Sequence, residues 1–409
     1  MTKAKALLIT DRIPIDSSMH GSPRTFELCN ALSDEFEFGL FYISTNNLPL
    51  TESSESLFSP IRIHQFDPVL KNSYQRLFRR FSPTASFDYR TTHHSEVKFI
   101  KNNINKFFIE NNFGLILVDG LSSSQYVPDN LLDKSALDLC DCLSKLQLRA
   151  LKRTSTIREL VSSIMSLIGI WHWERRTLKQ FRRTLIISED DTWPLKFLNF
   201  RYKAPALVPL GVNLEYFKST KELPINKTVL FFGALSYQPN LDASLWILED
   251  IFPLLLKTNP DSKLVIAGSL PPKEISDLAK RTPNVEIISN PIDIRPYIDD
   301  SSIILTPMRL GAGVKNKLLV AISMKRPVIS TQIGLEGVVN SISKQIYTAN
   351  NPREFCDRIS NIFSLIENQD KCKKMENDLS SLREILSEYY SWKSAALPLK
   401  EVFNEIIKQ

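Results

Sequence analysis

Residues 311–317 place two glycines, Gly311 and Gly313, beside two lysines, Lys315 and Lys317. Ahead of them runs Ile303-Ile304-Leu305, apolar and β-branched, which suits a buried parallel strand. Behind them Leu318, Leu319, Ala321 and Ile322 carry a helical pattern. A glycine loop between strand and helix exposes backbone N–H groups and a helix N-terminus, and nearby lysines add full charges, so an anion is stabilised there. The spacing is neither the P-loop pattern nor GxGxxG. It reads as a phosphate or diphosphate cradle, with an ordinary tight turn as the alternative.

The elements that must hold this loop follow from the next stretch. Arg326-Pro327-Val328-Ile329-Ser330-Thr331 passes from helix to short strand, and Gly334-Leu335-Glu336-Gly337 closes it with a glycine turn. Such turns lie at the carboxyl edge of open α/β sheets, where ligands bind.

The pattern P-x-R-x-G-A-G-V-K-N-K-L-L-x-A, followed by RPVIST-x-IG-x-EG, resembles the C-terminal domain of retaining, sugar-nucleotide-dependent glycosyltransferases of the GT-B architecture, the group 1 or family 4-like transferases. Three further fragments agree: Phe232-Gly233 before Tyr237-Gln238-Pro239-Asn240, Ile294-Arg295-Pro296-Tyr297-Ile298, and Val208-Pro209-Leu210-Gly211-Val212-Asn213 before Tyr216-Phe217. The resemblance is specific over roughly residues 184–340 and thin before residue 140.

That resemblance implies an α/β protein of two Rossmann-like domains facing across a cleft. Residues 1–211 form the acceptor-side domain, 212–385 the nucleotide-sugar-binding domain, and 386–409 a helix packing back on the first. It also implies a nucleoside diphosphate sugar as co-substrate, no cofactor, no metal and no side-chain nucleophile. Lys315 is then the charge that meets the departing diphosphate, with the amides around Gly311, Ala312 and Gly313 on sugar or phosphate. Gly21 and Arg24 in the first loop, Gly233, Arg295, Arg309, Val314, Asn316 and Lys317 complete the donor side, Arg309 and Lys317 as second choices that could equally face water.

One departure bears on activity. Where the family commonly has two glutamates eight positions apart, this chain has Ala312 and Val320. Valine accepts no hydrogen bond, and a charged one contributes roughly 1.5–3 kcal/mol. Either other groups hold the ribose, or the donor is atypical, or activity is lost.

At 409 residues the chain accommodates two domains with full cores, and 43% apolar with 23% charged residues is the composition of a globular protein without disordered tracts. Its formal charge of +6 is concentrated early: residues 1–218 hold 28 basic against 23 acidic side chains. Between Lys145 and Arg183 ten basic residues face only Glu159 and Glu174. This suits an anionic partner, lipid phosphate or nucleic acid, or else a solvated helix face. The five cysteines are scattered without a CxxC pair, which points to neither zinc nor disulfides and to a reducing compartment.

Taken in order, Lys3 and Lys5 precede only the short strand Ala6–Thr10, which is no signal peptide. The loop after it holds His20 and Gly21, and His20 reads first as a loop residue and second as an acceptor-side catalytic candidate. Tyr74–Phe81 interleaves aromatics with arginines, a pattern for a membrane surface or for rings packed on a sheet. Asp119 and Asp141 end apolar strands on the cleft side, as candidates for acceptor hydroxyls or as caps of the next helices. The apolar run Leu160–Trp171 is too short to span a bilayer.

The function expected is transfer of a hexose from a nucleoside diphosphate sugar to a glycan or lipid-linked acceptor in cell-surface polysaccharide synthesis, in the cytoplasm or at the inner membrane face. Two alternatives stand beside it: an inactive GT-B scaffold or partner protein, and a DNA-modifying glycosyltransferase.

Overall fold

The computed structural model describes residues 3–17, 23–44, 49–66, 89–90, 93–151, 156–192, 195–196, 204–219 and 221–408. The chain divides into two compact units, Met1–Pro209 with Ala395–Gln409, and Leu210–Ser394. The sequence groups residues 386–394 with the tail. In the structure they belong to the second unit.

The first unit is built on β1 (Ala4–Thr10), β2 (Phe36–Ser44), β3 (Phe58–Gln65), β4 (Leu115–Asp119), β5 (Ser135–Cys140), β6 (Arg183–Ile186) and β7 (Ala206–Leu207). These form one parallel sheet in the order β3-β2-β1-β4-β5-β6-β7. β4, LILVD, is buried at every position, as a strand covered on both faces must be. The helix His94–Glu110 covers one face, turning Val97, Ile100, Ile104, Phe107 and Phe108 inward at helical spacing. In the last helix, Trp392–Ile407, Ala395, Ala396, Leu399 and Phe403 are fully buried, and the Phe403 ring packs edge-on against Phe36 with centroids 5.3 Å apart. Burying such a ring contributes roughly 1.5–3 kcal/mol, enough to hold the returning segment on this unit.

The second unit repeats the plan with β8 (Thr228–Phe232), β9 (Lys263–Gly268), β10 (Val285–Ser289), β11 (Ile303–Thr306), β12 (Val328–Ser330) and β13 (Tyr347–Thr348). Its parallel sheet has the order β10-β9-β8-β11-β12-β13. Val229, Phe231, Leu264, Ile266, Ile303 and Leu305 form a core with Phe355, Ile359, Ile362 and Phe363 of the helix Pro352–Glu367. In both sheets the strand order reverses between the first strand and the fourth, β1 and β4 in one, β8 and β11 in the other. That switch point opens a crevice outside the carboxyl ends, the place where doubly wound folds take ligands.

Candidate functional site

The glycine-lysine loop leaves β11 at the switch point of the second sheet and enters the helix Asn316–Ser323, with Lys315 at the N-cap. Its path is fixed from the neighbouring strand: the Thr331 hydroxyl donates to the Met308 carbonyl, and Gly334 N–H donates to Thr331 Oγ1 at 3.0 Å. Below the helix, buried Arg326 donates to the Ile298 carbonyl at 3.1 Å and pairs with Asp299 at 3.0 Å. The start of the loop is therefore held by a side chain that follows it in sequence, and the far end of the helix by Arg326.

Two lysines converge on this loop. Lys315 Nζ donates to the carbonyls of Ala312, at 3.1 Å, and Gly313. Gly311 sits at φ 128°, a backbone conformation that favours glycine, and a Cβ there would come within 3.1 Å of Lys315 Cε. Lys317 Nζ rests 4.2 Å from the Phe231 ring centroid, donates to Asn240 Oδ1 and lies 3.7 Å from Met308 Sδ. Burial first, and the charge of Lys315 second, press its amine down to about 7. Gly233, at the end of β8, has φ 151°, and a Cβ on it would stand 2.9 Å from Asn240 Nδ2 and 3.4 Å from Lys317 Nζ. Four of the residues carried over by resemblance thus form two pairs, Gly311 with Lys315 and Gly233 with Lys317, linked by the charge of Lys315 acting on Lys317.

The others are spread. Ala312, Gly313 and Val314 are buried loop residues, and Asn316 is exposed on the first turn of the helix. Val320 is only 2% exposed, turned into the interior, so it offers a ligand no surface. Arg309 is committed to Asp242, with contacts of 2.9 and 2.8 Å, and its guanidinium lies 4.7 Å from the Trp246 ring centroid. Arg295 is likewise held by Asp293 at 2.8 Å and lies 3.9 Å from the Tyr216 ring centroid. Both guanidiniums carry bidentate pairing and stacking, which places them as braces of the fold.

In the first unit Arg24 takes a structural place too. Fully buried, it pairs with Asp138 at 2.7 Å and donates to the carbonyls of Val208 at 2.8 Å and Pro209 at 2.7 Å. Four of its five N–H donors are thus engaged within the fold. Asp119 ends β4 with its carboxylate accepting from Thr10 Oγ1 at 2.8 Å. Burial raises its pKa above the usual carboxylate range, against the pull of Arg12 and of the Thr10 hydrogen bond. It stands before the helix Gly120–Ser123 without capping it. Asp141 follows Cys140, which has φ 62°. The first amides of the helix Leu143–Leu151 go to Glu174, Leu143 N at 2.7 Å and Ser144 N at 3.2 Å, while Asp191 accepts from Cys142 N at 3.0 Å. Burial lifts the Glu174 carboxyl to about 7 despite these hydrogen bonds. His20 and Gly21, like Tyr74–Phe81, lie outside the described residues. Among the described residues no group of three or more His, Cys, Asp or Glu could hold a metal ion.

Asn240 is the site residue that sequence reasoning passed over. It stands in the quoted Tyr237-Gln238-Pro239-Asn240 fragment, where Pro239 at the start of the helix Gln238–Trp246 brings it to face Lys317. Only the fixed start of that helix could have signalled its position.

The two wound sheets define the class. The fold matches that of sucrose-phosphate synthase from Thermosynechococcus elongatus, 13% identical with a TM-score of 0.68 and all of both chains covered. It also matches a glycosyltransferase from Rickettsia africae, 15% identical with a TM-score of 0.63 and all of both chains covered. Anabaena HepE in complex with UDP and glucose is 12% identical with a TM-score of 0.62, covering 98% of this chain and 100% of that one. The architecture is therefore GT-B. Within it, residues 226–364 match the family model described as Glycosyl transferases group 1. A curated relative from Klebsiella pneumoniae, an uncharacterized 44.6 kDa protein in the cps region, is 30% identical over 213 residues, 50% of this chain and 50% of that protein. The match spans about half the length of that relative.

Proposed function

We propose that this chain transfers a sugar from a nucleoside diphosphate sugar to a glycan or lipid-linked acceptor, with retention of configuration, in the building of a cell-surface polysaccharide. The single observation that carries the proposal is the pairing of Gly311 with Lys315 and of Gly233 with Lys317 on the loops that leave β11 and β8, the two strands at the switch point of the second sheet. Support comes from the group 1 match and from the fold shared with a protein solved in complex with UDP and glucose. The cps region of the Klebsiella relative supports the polysaccharide setting.

On this reading the anionic diphosphate replaces the loop carbonyls as partner of Lys315. As the sugar–phosphate bond lengthens, negative charge gathers on the departing diphosphate, and Lys315 with the start of the helix Asn316–Ser323 meets it. Each such contact is worth on the order of 3 kcal/mol by comparison with oxyanion donors. Lys317 adds a second positive charge once the anion has restored its proton. The amides near Ala312 and Gly313 hold the sugar for attack from the face the diphosphate leaves. No metal is required in this scheme, and the enzyme works in the cytoplasm or at the inner membrane face.

Calorimetric titration with a panel of nucleoside diphosphates tests it. Binding by one of them, weakened by Lys315→Ala, is expected. Failure of every diphosphate to bind would leave a GT-B shell serving as scaffold.

A further inference from the structure

The helix Ile157–Gln180 carries apolar side chains that nothing among the described residues of its unit covers. Ile157 is 84% exposed, Val161 56% and Ile168 54%, with Leu160, Ile164 and Trp171 also in solvent. Every residue from Thr156 to Ser162 is exposed, so this half of the helix stands off the body. Further along, Ile170, Trp173, Glu174, Thr177 and Leu178 turn inward and anchor it.

The arrangement around the helix is what selects a partner. At about 100° per residue, Ile157, Ile164, Ile168 and Trp171 fall within roughly 60° of one another. Arg175 continues the same stripe, with its guanidinium 5.5 Å from the Trp171 ring centroid. Exposed Arg158 and Arg176 flank the stripe on one side, about 100° from its centre. The acidic side chains avoid it: Glu159 lies on the opposite side, and Glu174 is fully buried. An outward face made of aliphatics, one tryptophan and arginines is complementary to an anionic lipid surface, whose acyl boundary takes the apolar groups while its phosphates meet the guanidiniums. A second copy of the chain fits poorly, because a two-fold contact through this stripe would bring the arginines of both copies together.

We propose that the outward face of the helix Ile157–Gln180, from Ile157 to Arg176, is a docking surface for an anionic membrane. This surface stands on its own geometry and needs nothing from the transferase reading, although it would bring that site to a lipid-linked acceptor. No helix among the described residues is long and apolar enough to cross a membrane, so the contact is one of lying on the surface.

The full-length chain, without nucleotide, is sedimented with phosphatidylcholine vesicles, either pure or containing about one third phosphatidylglycerol. Binding to the anionic vesicles alone is expected, falling as salt is raised. Ile164→Asp combined with Ile168→Asp should cut the bound fraction at least tenfold, and Arg158→Gln or Arg176→Gln about fivefold each. All these positions are exposed, so circular dichroism and melting midpoints should match the parent chain. The proposal is overturned if the parent binds neither vesicle, binds both equally, or binds undiminished after the isoleucine changes. It is also overturned if sedimentation equilibrium shows a dimer that those changes abolish. Nucleotide calorimetry on the same variants should be unchanged, so loss of vesicle binding and loss of the donor site are read separately.

Discussion

At the carboxyl ends of the first sheet, charged and polar groups are matched to one another inside the fold, Arg24 to Asp138 and Thr10 to Asp119. In the second sheet, of the same winding, the corresponding ends carry Lys315 and Lys317, whose nitrogens rest on loop carbonyls, an amide oxygen, a thioether and a ring. Arg24 answers a charge the fold itself supplies. Lys317 is buried beside the charge of Lys315, and both lower its pKa. One topology thus yields an edge where an arginine is paired with an aspartate and an edge that gathers two lysines on one glycine loop.

The sharpest break of this contrast is Arg24→Ala. Removing one partner of a buried pair leaves Asp138 uncompensated and should destabilise the first unit by about 3–5 kcal/mol, read by denaturant unfolding. Nucleotide affinity in the second unit should hardly move. Lys315→Ala should do the reverse, leaving the unfolding midpoint close to the parent while kcat falls on the order of a hundredfold, about 3 kcal/mol, in a donor-turnover assay.

Lys317 sharpens the comparison through pH. Its amine is neutral above about 7 in the ligand-free protein, and a bound diphosphate favours the charged form, so binding takes up a proton there. Diphosphate affinity should therefore weaken as pH rises above about 7, by at most about tenfold per pH unit. Calorimetry at pH about 8 in buffers of different ionisation enthalpy should register the uptake. Lys317→Met should flatten the profile. The smallest effect is expected at Asp119→Asn, which keeps an acceptor for Thr10. A shift near 1 kcal/mol in stability, with diphosphate affinity unchanged, would mark the first edge as separate from donor binding.

The winding of both sheets was legible because buried parallel strands write themselves as continuous apolar runs, Leu115–Asp119 and Ile303–Thr306 among them. The loop at 311–317 was legible because glycine and lysine crowd between a strand and a helix. What the sequence hides is pairing at a distance. Arg24 and Asp138 stand 114 positions apart, Lys317 and Asn240 77, and Arg309 and Asp242 67, and no local pattern reports such partners. Hence Arg24, Arg295 and Arg309, cations carried over by resemblance, are each found paired with an aspartate, while Lys315 and Lys317 stay with the glycine loop. The cap of the helix Leu143–Leu151 escaped for the same reason: the nearby Asp141 was a natural candidate, yet its first amides belong to Glu174, some thirty positions on.

That borrowed cap has a consequence for motion. Because the carboxyl group that starts one helix hangs from the next, unwinding around Glu174 would release the first turn of the helix Leu143–Leu151. The helix that bears the outward arginines and isoleucines is consequently hinged through its neighbour, and hydrogen exchange at Leu143 and Ser144 should report on whatever presses against its far end.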